Sequence, residues 1–180
     1  MTVLSSLHNR HLRLARSLVR ARERQKTGLY RLEGRKLVGE ALQAGASLEY
    51  VLYAPALADQ TEGQVLLGRL RAAGVPCYPV AEKLWSELSG TVTPQGILAV
   101  VRREESDLAD LFSRMGQGLV LVLDGVQDPG NTGTLIRTAA AAGCVGLVAL
   151  TGTADLYQDK VLRAAAGAQF LLPVVTRVAP

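Results

Sequence analysis

The sequence predicts an α/β protein of two units, and three observations carry that reading. Residues 119–143 run from five apolar residues, LVLVL, through an aspartate and a Pro/Gly turn into an alanine-rich helix, which is a strand-turn-helix signature. Strand-like and helix-like stretches alternate over residues 29–101, the pattern of a compact α/β domain. Between them, residues 102–118 hold the densest acidic run and then glycines, read as a linker with a short helix. The expected boundaries are therefore 1–101, 102–118 and 119–180. With 180 residues and 48% hydrophobic content the chain can bury one ordinary core or two small ones.

From Ser5 or Ser6 to Lys26 the spacing predicts one helix, with a serine at its front and Thr27-Gly28 as its stop. Leu7, Leu14, Leu18 and Ala21 form an apolar stripe; Arg13, Arg16, Arg20 and Arg24 recur at spacings of three and four on another face. Residues 30–45 read as a short extended piece that turns into a helix ending at Gly45, and LEYVLYAP as a strand. A helix over 64–73 follows, then a short strand in VPCYPV, a helix over 81–88, and a turn and strand over 91–101.

In the second unit, residues 119–123 are apolar throughout, as expected of a parallel strand buried on both faces. The helix is expected to open at Asn131 as N-cap and to close near Gly143. Leu135, Ile136, Ala139 and Ala142 are expected to face the sheet, with Arg137 pointing away. Gly133, in the first turn, would leave backbone N–H groups open to a ligand. A strand over 146–150, a helix over 160–168 and a strand over 170–175 complete the set. Some 62 residues are few for a self-sufficient unit.

Charge is distributed unevenly. Residues 1–36 carry ten Lys/Arg against two acids, a net +8, while the remaining 144 carry ten against fourteen, a net −4. A cationic segment on a mildly acidic body points to a polyanion partner, because neutralising phosphates releases counterions; a merely solvated basic face is the alternative. The apolar stretch 139–150 is broken by Gly143 and Gly146 and falls short of the roughly 18 residues a membrane span needs. No apolar segment follows the first arginines as in a secretory signal. The expectation is a cytoplasmic protein with no membrane association. Cys77 and Cys144 stand 67 positions apart in separate apolar contexts, which suits reduced thiols rather than a disulfide or zinc framework. His8 and His11 lie at i,i+3, but no further histidine completes a metal site, so no metal is expected.

Three readings of DPGNTGTLIR, residues 128–137, compete: an ordinary capped helix with a solubilising arginine, a dinucleotide turn, and a catalytic strand-turn-helix. The dinucleotide fingerprint GxGxxG is absent, and only Gly130-x-x-Gly133 remains. Asp124, at the strand end, is either a ribose ligand or a turn former.

The segment LDGVQDPGNTGTLIRTAAAAG closely resembles the first signature motif of the SpoU (TrmH) family of RNA ribose 2′-O-methyltransferases, in the SPOUT superfamily. KVLRAAAGAQFLLPV continues the resemblance, and upstream RLEGRKLVGEAL and TPQGILAVV match, in order, the family's N-terminal substrate-binding module. The resemblance implies a small N-terminal α/β RNA-binding domain followed by the first part of a SPOUT (knotted α/β) methyltransferase domain. It implies Asn131 and Arg137 as the catalytic-site pair. Arg10, Arg13, Arg16, Arg20, Arg24, Arg35 and Lys36 are then the expected RNA-binding cations, S-adenosylmethionine the cofactor, and a homodimer the full-length form. Ribosomal RNA is the expected substrate ahead of transfer RNA. Ala165 stands where the family often has serine, and no counterpart of the later glycine-rich and Ser/Asn-containing motifs is present. The chain therefore resembles the front two-thirds of such an enzyme, apparently truncated, with little expected affinity for the cofactor alone. The rival is a non-catalytic RNA-binding protein of the same lineage.

Overall fold

The computed structural model describes residues 2–91, 93–104, 106–116 and 118–178. The chain divides into two compact units, Met1–Arg103 and Glu104–Pro180.

The first unit comprises α1 (Arg10–Ser17), α2 (Ala21–Thr27), β1 (Leu29–Glu33), α3 (Arg35–Gln43), β2 (Leu48–Tyr53), α4 (Pro55–Ala58), α5 (Thr61–Ala72), β3 (Cys77–Pro79), a 3-10 turn (Glu82–Leu84), α6 (Trp85–Leu88) and β4 (Ile97–Arg102). Its sheet runs β1-β4-β2-β3, with β4 antiparallel to both neighbours and β2 parallel to β3. The apolar run ILAVV places β4 inside the sheet, where Ile97 to Val101 are fully buried. Alternation splits the sheet into two faces. Tyr50, Leu52, Leu98 and Val100 meet Leu12, Ala15 and Leu18 of the N-terminal helix and Trp85 and Leu88 of α6. α3 packs beside α5 and against β1 and β4.

The single helix expected over residues 5–26 is two helices. Asn9, not a serine, caps α1 by accepting from His11 N at 2.9 Å. Leu18 turns into the core, Val19 and Arg20 leave helical geometry, and α2 begins at Ala21. The break is held by Arg24, whose guanidinium donates to the carbonyls of Leu18 and Val19 that a continuous helix would have used internally.

The second unit comprises α7 (Leu108–Met115), β5 (Val120–Leu123), α8 (Pro129–Ala141), β6 (Gly146–Leu150), α9 (Asp159–Ala165), a 3-10 turn (Ala168–Phe170) and β7 (Val174–Val178). The sheet is parallel, in the order β5-β6-β7. One face packs under α8 and α9 through Leu123, Leu147, Ala149, Ile136, Val161 and Ala165. The other packs under Leu108 and Leu111 of α7 through Val148 and Val175. The segment read as a linker thus contributes a core side chain, Leu111, to the second unit.

Two strand expectations need correction. β5 is an edge strand, and Val122 is 52% exposed although its sequence is apolar throughout. The last strand starts at Val174, not Phe170: Pro173 has no N–H to give the ladder, its carbonyl accepts from Leu147 N at 3.0 Å, and regular pairing begins after it.

Candidate active site and nucleic-acid interface

α8 opens one turn earlier than expected. Asp128 is the N-cap, its carboxylate accepting from Asn131 N at 2.7 Å, and Pro129 occupies the first helical position, where a missing N–H costs nothing. Asn131 is therefore not the cap. It lies in the first turn with its side chain exposed and without a hydrogen bond among the described residues. Thr132 is fully buried, and its hydroxyl donates to Asp128 O at 2.8 Å, which fixes the turn from beneath.

Gly133 serves packing, not ligand approach. A Cβ there would lie 2.5 Å from Ala164 Cβ and 2.6 Å from Val161 O, so α8 and α9 cross where neither carries a side chain of any size. The crossing buries Thr132, Gly133, Ile136 and Ala139; Leu135 and Ala142, expected to face the sheet, are exposed. Arg137 is exposed and pairs with no carboxylate among the described residues. Six positions separate it from Asn131, roughly 9 Å along the axis and about 120° around it. The two side chains project from neighbouring faces of one helix and not toward each other.

Gly125 and Gly152 stand in the loops that follow β5 and β6, both in left-handed geometry at φ 63° and 95°. A Cβ on Gly152 would lie 3.9 Å from Gly125 Cα, so the two loops approach with bare backbone. Thr153 Oγ1 donates to Leu123 O at 2.9 Å, and Ala154 N to Val126 O at 2.9 Å, tying them together. Asp124 and Asp128 are exposed beside them. Carboxyl ends of parallel strands are where α/β folds take ligands. Bare backbone at Gly125 and Gly152 can take a flat, neutral ring, and the exposed Asp124 carboxylate beside it can face a cation.

In the first unit, the basic segment is sorted by burial. Arg24 is 7% exposed and Arg31 3% exposed; Arg31 donates to Leu88 O at 2.7 Å. Arg24 is thereby corrected from phosphate ligand to internal cap, because its charge is satisfied by backbone carbonyls. Arg10, Arg13, Arg16 and Arg20 are exposed; so are Arg22 and Lys26, which helical spacing had not singled out. Arg16 pairs with Glu87 at 3.2 Å, Arg35 donates to Gln60 Oε1 at 2.9 Å, and Lys36 stands 3.8 Å from Glu40. These pairs are exposed enough to exchange for phosphate at little cost.

His11 stacks on Tyr78 at 4.3 Å and meets the edge of Tyr50 at 4.7 Å, and Tyr50 Oη donates to His11 O at 2.7 Å. Burial, helped by the Arg10 charge, lowers the His11 pKa, and burial raises those of Tyr50 and Cys77. Among the described residues no group of three or more His, Cys, Asp and Glu is placed to hold a metal. No described helix is long and apolar enough to cross a membrane.

A basic α/β unit and a second unit built on a parallel sheet, with bare glycine loops at its strand ends, place the chain in the α/β class. Residues 9–99 match the MRM3-like substrate binding domain, and residues 118–179 the SpoU rRNA Methylase family. The chain belongs to the SpoU rRNA methylase family. It is similar to the 23S rRNA (guanosine(2553)-2′-O)-methyltransferase RlmP of Bacillus subtilis, 38% identical over all of this chain and 67% of that protein. It is also similar to rRNA methyltransferase 3, mitochondrial, of Mus musculus, 35% identical over 94% of this chain and 40% of that one. An AdoMet-bound rRNA methyltransferase from Sinorhizobium meliloti matches in structure, with TM-score 0.81 and 28% identity over 98% of this chain and 64% of that one. The chain thus spans between two fifths and two thirds of the length of these relatives.

Proposed function

We propose that the protein carrying this chain transfers a methyl group from S-adenosylmethionine to a ribose 2′-hydroxyl of ribosomal RNA. The observation that carries this reading is Arg137, which two turns of α8 hold at the surface with no carboxylate among the described residues to neutralise it. The structural relative from Sinorhizobium meliloti and the two sequence relatives named above are rRNA methyltransferases by name.

When bound, S-adenosylmethionine supplies a methyl group activated by a cationic sulfur. A guanidinium whose pKa exceeds about 12 is a poor base. Arg137 instead grips the phosphate next to the target ribose with its two-pronged donor edge and orients the hydroxyl. Its charge also stabilises the oxygen as the hydroxyl proton passes to water. Asn131, released from capping by Asp128, offers its amide to the same nucleotide or to the cofactor. Positioning of this kind supplies much of the rate in a displacement between two bound groups.

Arg10, Arg13, Arg16, Arg20, Arg35 and Lys36 hold RNA phosphates in this reading, with Arg22 and Lys26 beside them. A homodimer is the proposed working form, and the exposed apolar side chains Leu119, Val122 and Leu171 offer surface for a partner. The proposed compartment is the cytoplasm, which suits the unpaired thiols Cys77 and Cys144.

The intact protein, given ribosomal RNA and radiolabelled S-adenosylmethionine, should incorporate label into a dinucleotide that resists alkaline hydrolysis, the signature of a methylated 2′-oxygen. RNA binding without incorporation would instead establish the non-catalytic RNA-binding protein.

A further inference from the structure

We infer that the cleft between α3 and α5 is a nucleobase pocket that selects a base with a donor-bearing edge, guanine above the others. The inference rests on the RNA reading and concerns a nucleotide held by the first unit.

The cleft is an open groove of about 610 Å³, comparable in size to small-ligand sites. Helical spacing builds it: Arg35, Gly39 and Gln43 recur every fourth residue along α3, and Glu62, Val65, Leu66 and Arg69 line one face of α5. The floor is apolar. Gly39 contributes no side chain, and a Cβ there would meet only Leu66 Cδ1, at 3.9 Å. Val65, 59% exposed, is an apolar side chain that this opening leaves uncovered.

The rim carries the specificity. The Arg35 guanidinium is fixed by Gln60 Oε1 at 2.9 Å and Glu62 Oε2 at 3.4 Å, and its backbone N–H donates to Gln95 Oε1 at 2.9 Å. With its donor edge on these acceptors or on a phosphate, the guanidinium still offers its plane as a stacking surface for an unpaired base. Arg69 is exposed and has no ion pair among the described residues, so it can take the attached phosphate.

Glu40 is the reading head. Its Oε2 is buried and accepts no hydrogen bond, while its Oε1 stands 3.8 Å from Lys36 Nζ. A buried acceptor without a donor is unfavourable, and the broad terminal torsion of glutamate lets the carboxylate turn so that both oxygens face the cleft. The carboxylate therefore accepts donors delivered along the cleft. Guanine presents two adjacent N–H donors to a carboxylate, whereas cytosine, adenine and uracil each present fewer along one edge.

The test uses this chain with fluorescent single-stranded RNA pentamers, uridine throughout except for a central G, C, A or U, at low salt. The G pentamer should bind at least about tenfold more tightly than the U pentamer. Glu40→Gln, close to isosteric, should abolish that preference, with affinity for the U pentamer no lower than in the parent. Gly39→Leu, which fills the floor and favours the helix, should abolish it as well, with thermal stability retained. Equal affinity for all four pentamers, or a preference that survives both variants, overturns the pocket even if structured ribosomal RNA still binds. Failure of the chain to bind any RNA, structured RNA included, overturns the RNA reading beneath it.

Discussion

Arg24 donates one guanidinium nitrogen to the carbonyls of Leu18 and Val19, 2.7 Å to each, and so closes the end of α1 from within α2. Arg24→Ala leaves both carbonyls short of a donor in a place from which water is largely excluded. It should cost about 1–3 kcal/mol in urea unfolding. Arg13→Ala, on the exposed face, should cost less than about 0.5 kcal/mol. Equal costs would mean that the buried arginine has no structural role.

Gly133 and Ala164 make a second such point. Gly133→Ala drives a methyl group to 2.5 Å from Ala164 Cβ, so α8 and α9 must separate. The expected loss is about 1–3 kcal/mol, read as a fall in the thermal midpoint. At Gly68 on α5, where nothing lies within 4 Å, the same change should stabilise by about 0.5–1 kcal/mol.

Arg24 and Gly133 mark the limit of what the sequence makes legible. Apolar runs and their spacing gave the strands of both sheets and the strand-turn-helix to within a few residues, because burial dictates periodicity. What the pattern could not give was decided by distant partners. Arg24 matches the arginine spacing of a solvated face, and only the break at Leu18 turns it inward. Val122 looks buried because its own sequence is apolar; its place at the sheet edge depends on strand order. Asn131 and Asp128 are both good N-caps, and Pro129 at the first position decides between them. Gln95 reaches the first backbone N–H of α3 from 60 residues away, a separation no local pattern spans. For the candidate site, Arg137 was legible as an outward arginine; the glycine ledge of Gly125 and Gly152 was not, because it joins two loops.

His11 ties α1 to β2 and β3 through its contacts with Tyr50 and Tyr78. Its pKa is lowered in the folded chain by burial and by Arg10, so the unfolded chain binds the proton more readily. Stability from this group is complete above the ordinary histidine value of 6.5 and declines as pH falls from there toward the lowered folded value. The thermal midpoint should therefore be lower at pH 5.5 than at pH 7.5, and His11→Gln should remove part of that difference. An identical pH dependence in the variant would separate His11 from it.

RNA affinity should depend steeply on salt. Replacing Arg13, Arg16 and Arg20 together by Gln should weaken binding at all sequences and lower the slope of log K against log salt by about one for each phosphate no longer neutralised. Arg16 should contribute least, since Glu87 already holds it at 3.2 Å. An unchanged slope would return this surface to ordinary solvation.

Arg137 gives the sharpest test of the chemistry. Because it is exposed and pairs with no carboxylate among the described residues, Arg137→Ala should leave the unfolding free energy within about 0.5 kcal/mol of the parent. RNA affinity should also change little, since the phosphate contacts of the first unit remain. If the guanidinium acts on the ribose oxygen in the transition state, methyl transfer by the intact protein should fall by about a hundredfold or more, in kcat as well as kcat/KM. Arg137→Lys separates the two roles a cation could have there. A lysine keeps the charge but loses the paired donor edge, so a phosphate grip that needs two prongs should recover only a small part of the rate. Full recovery with lysine would mean that charge alone suffices, and an undiminished rate in the alanine variant would remove Arg137 from the reaction.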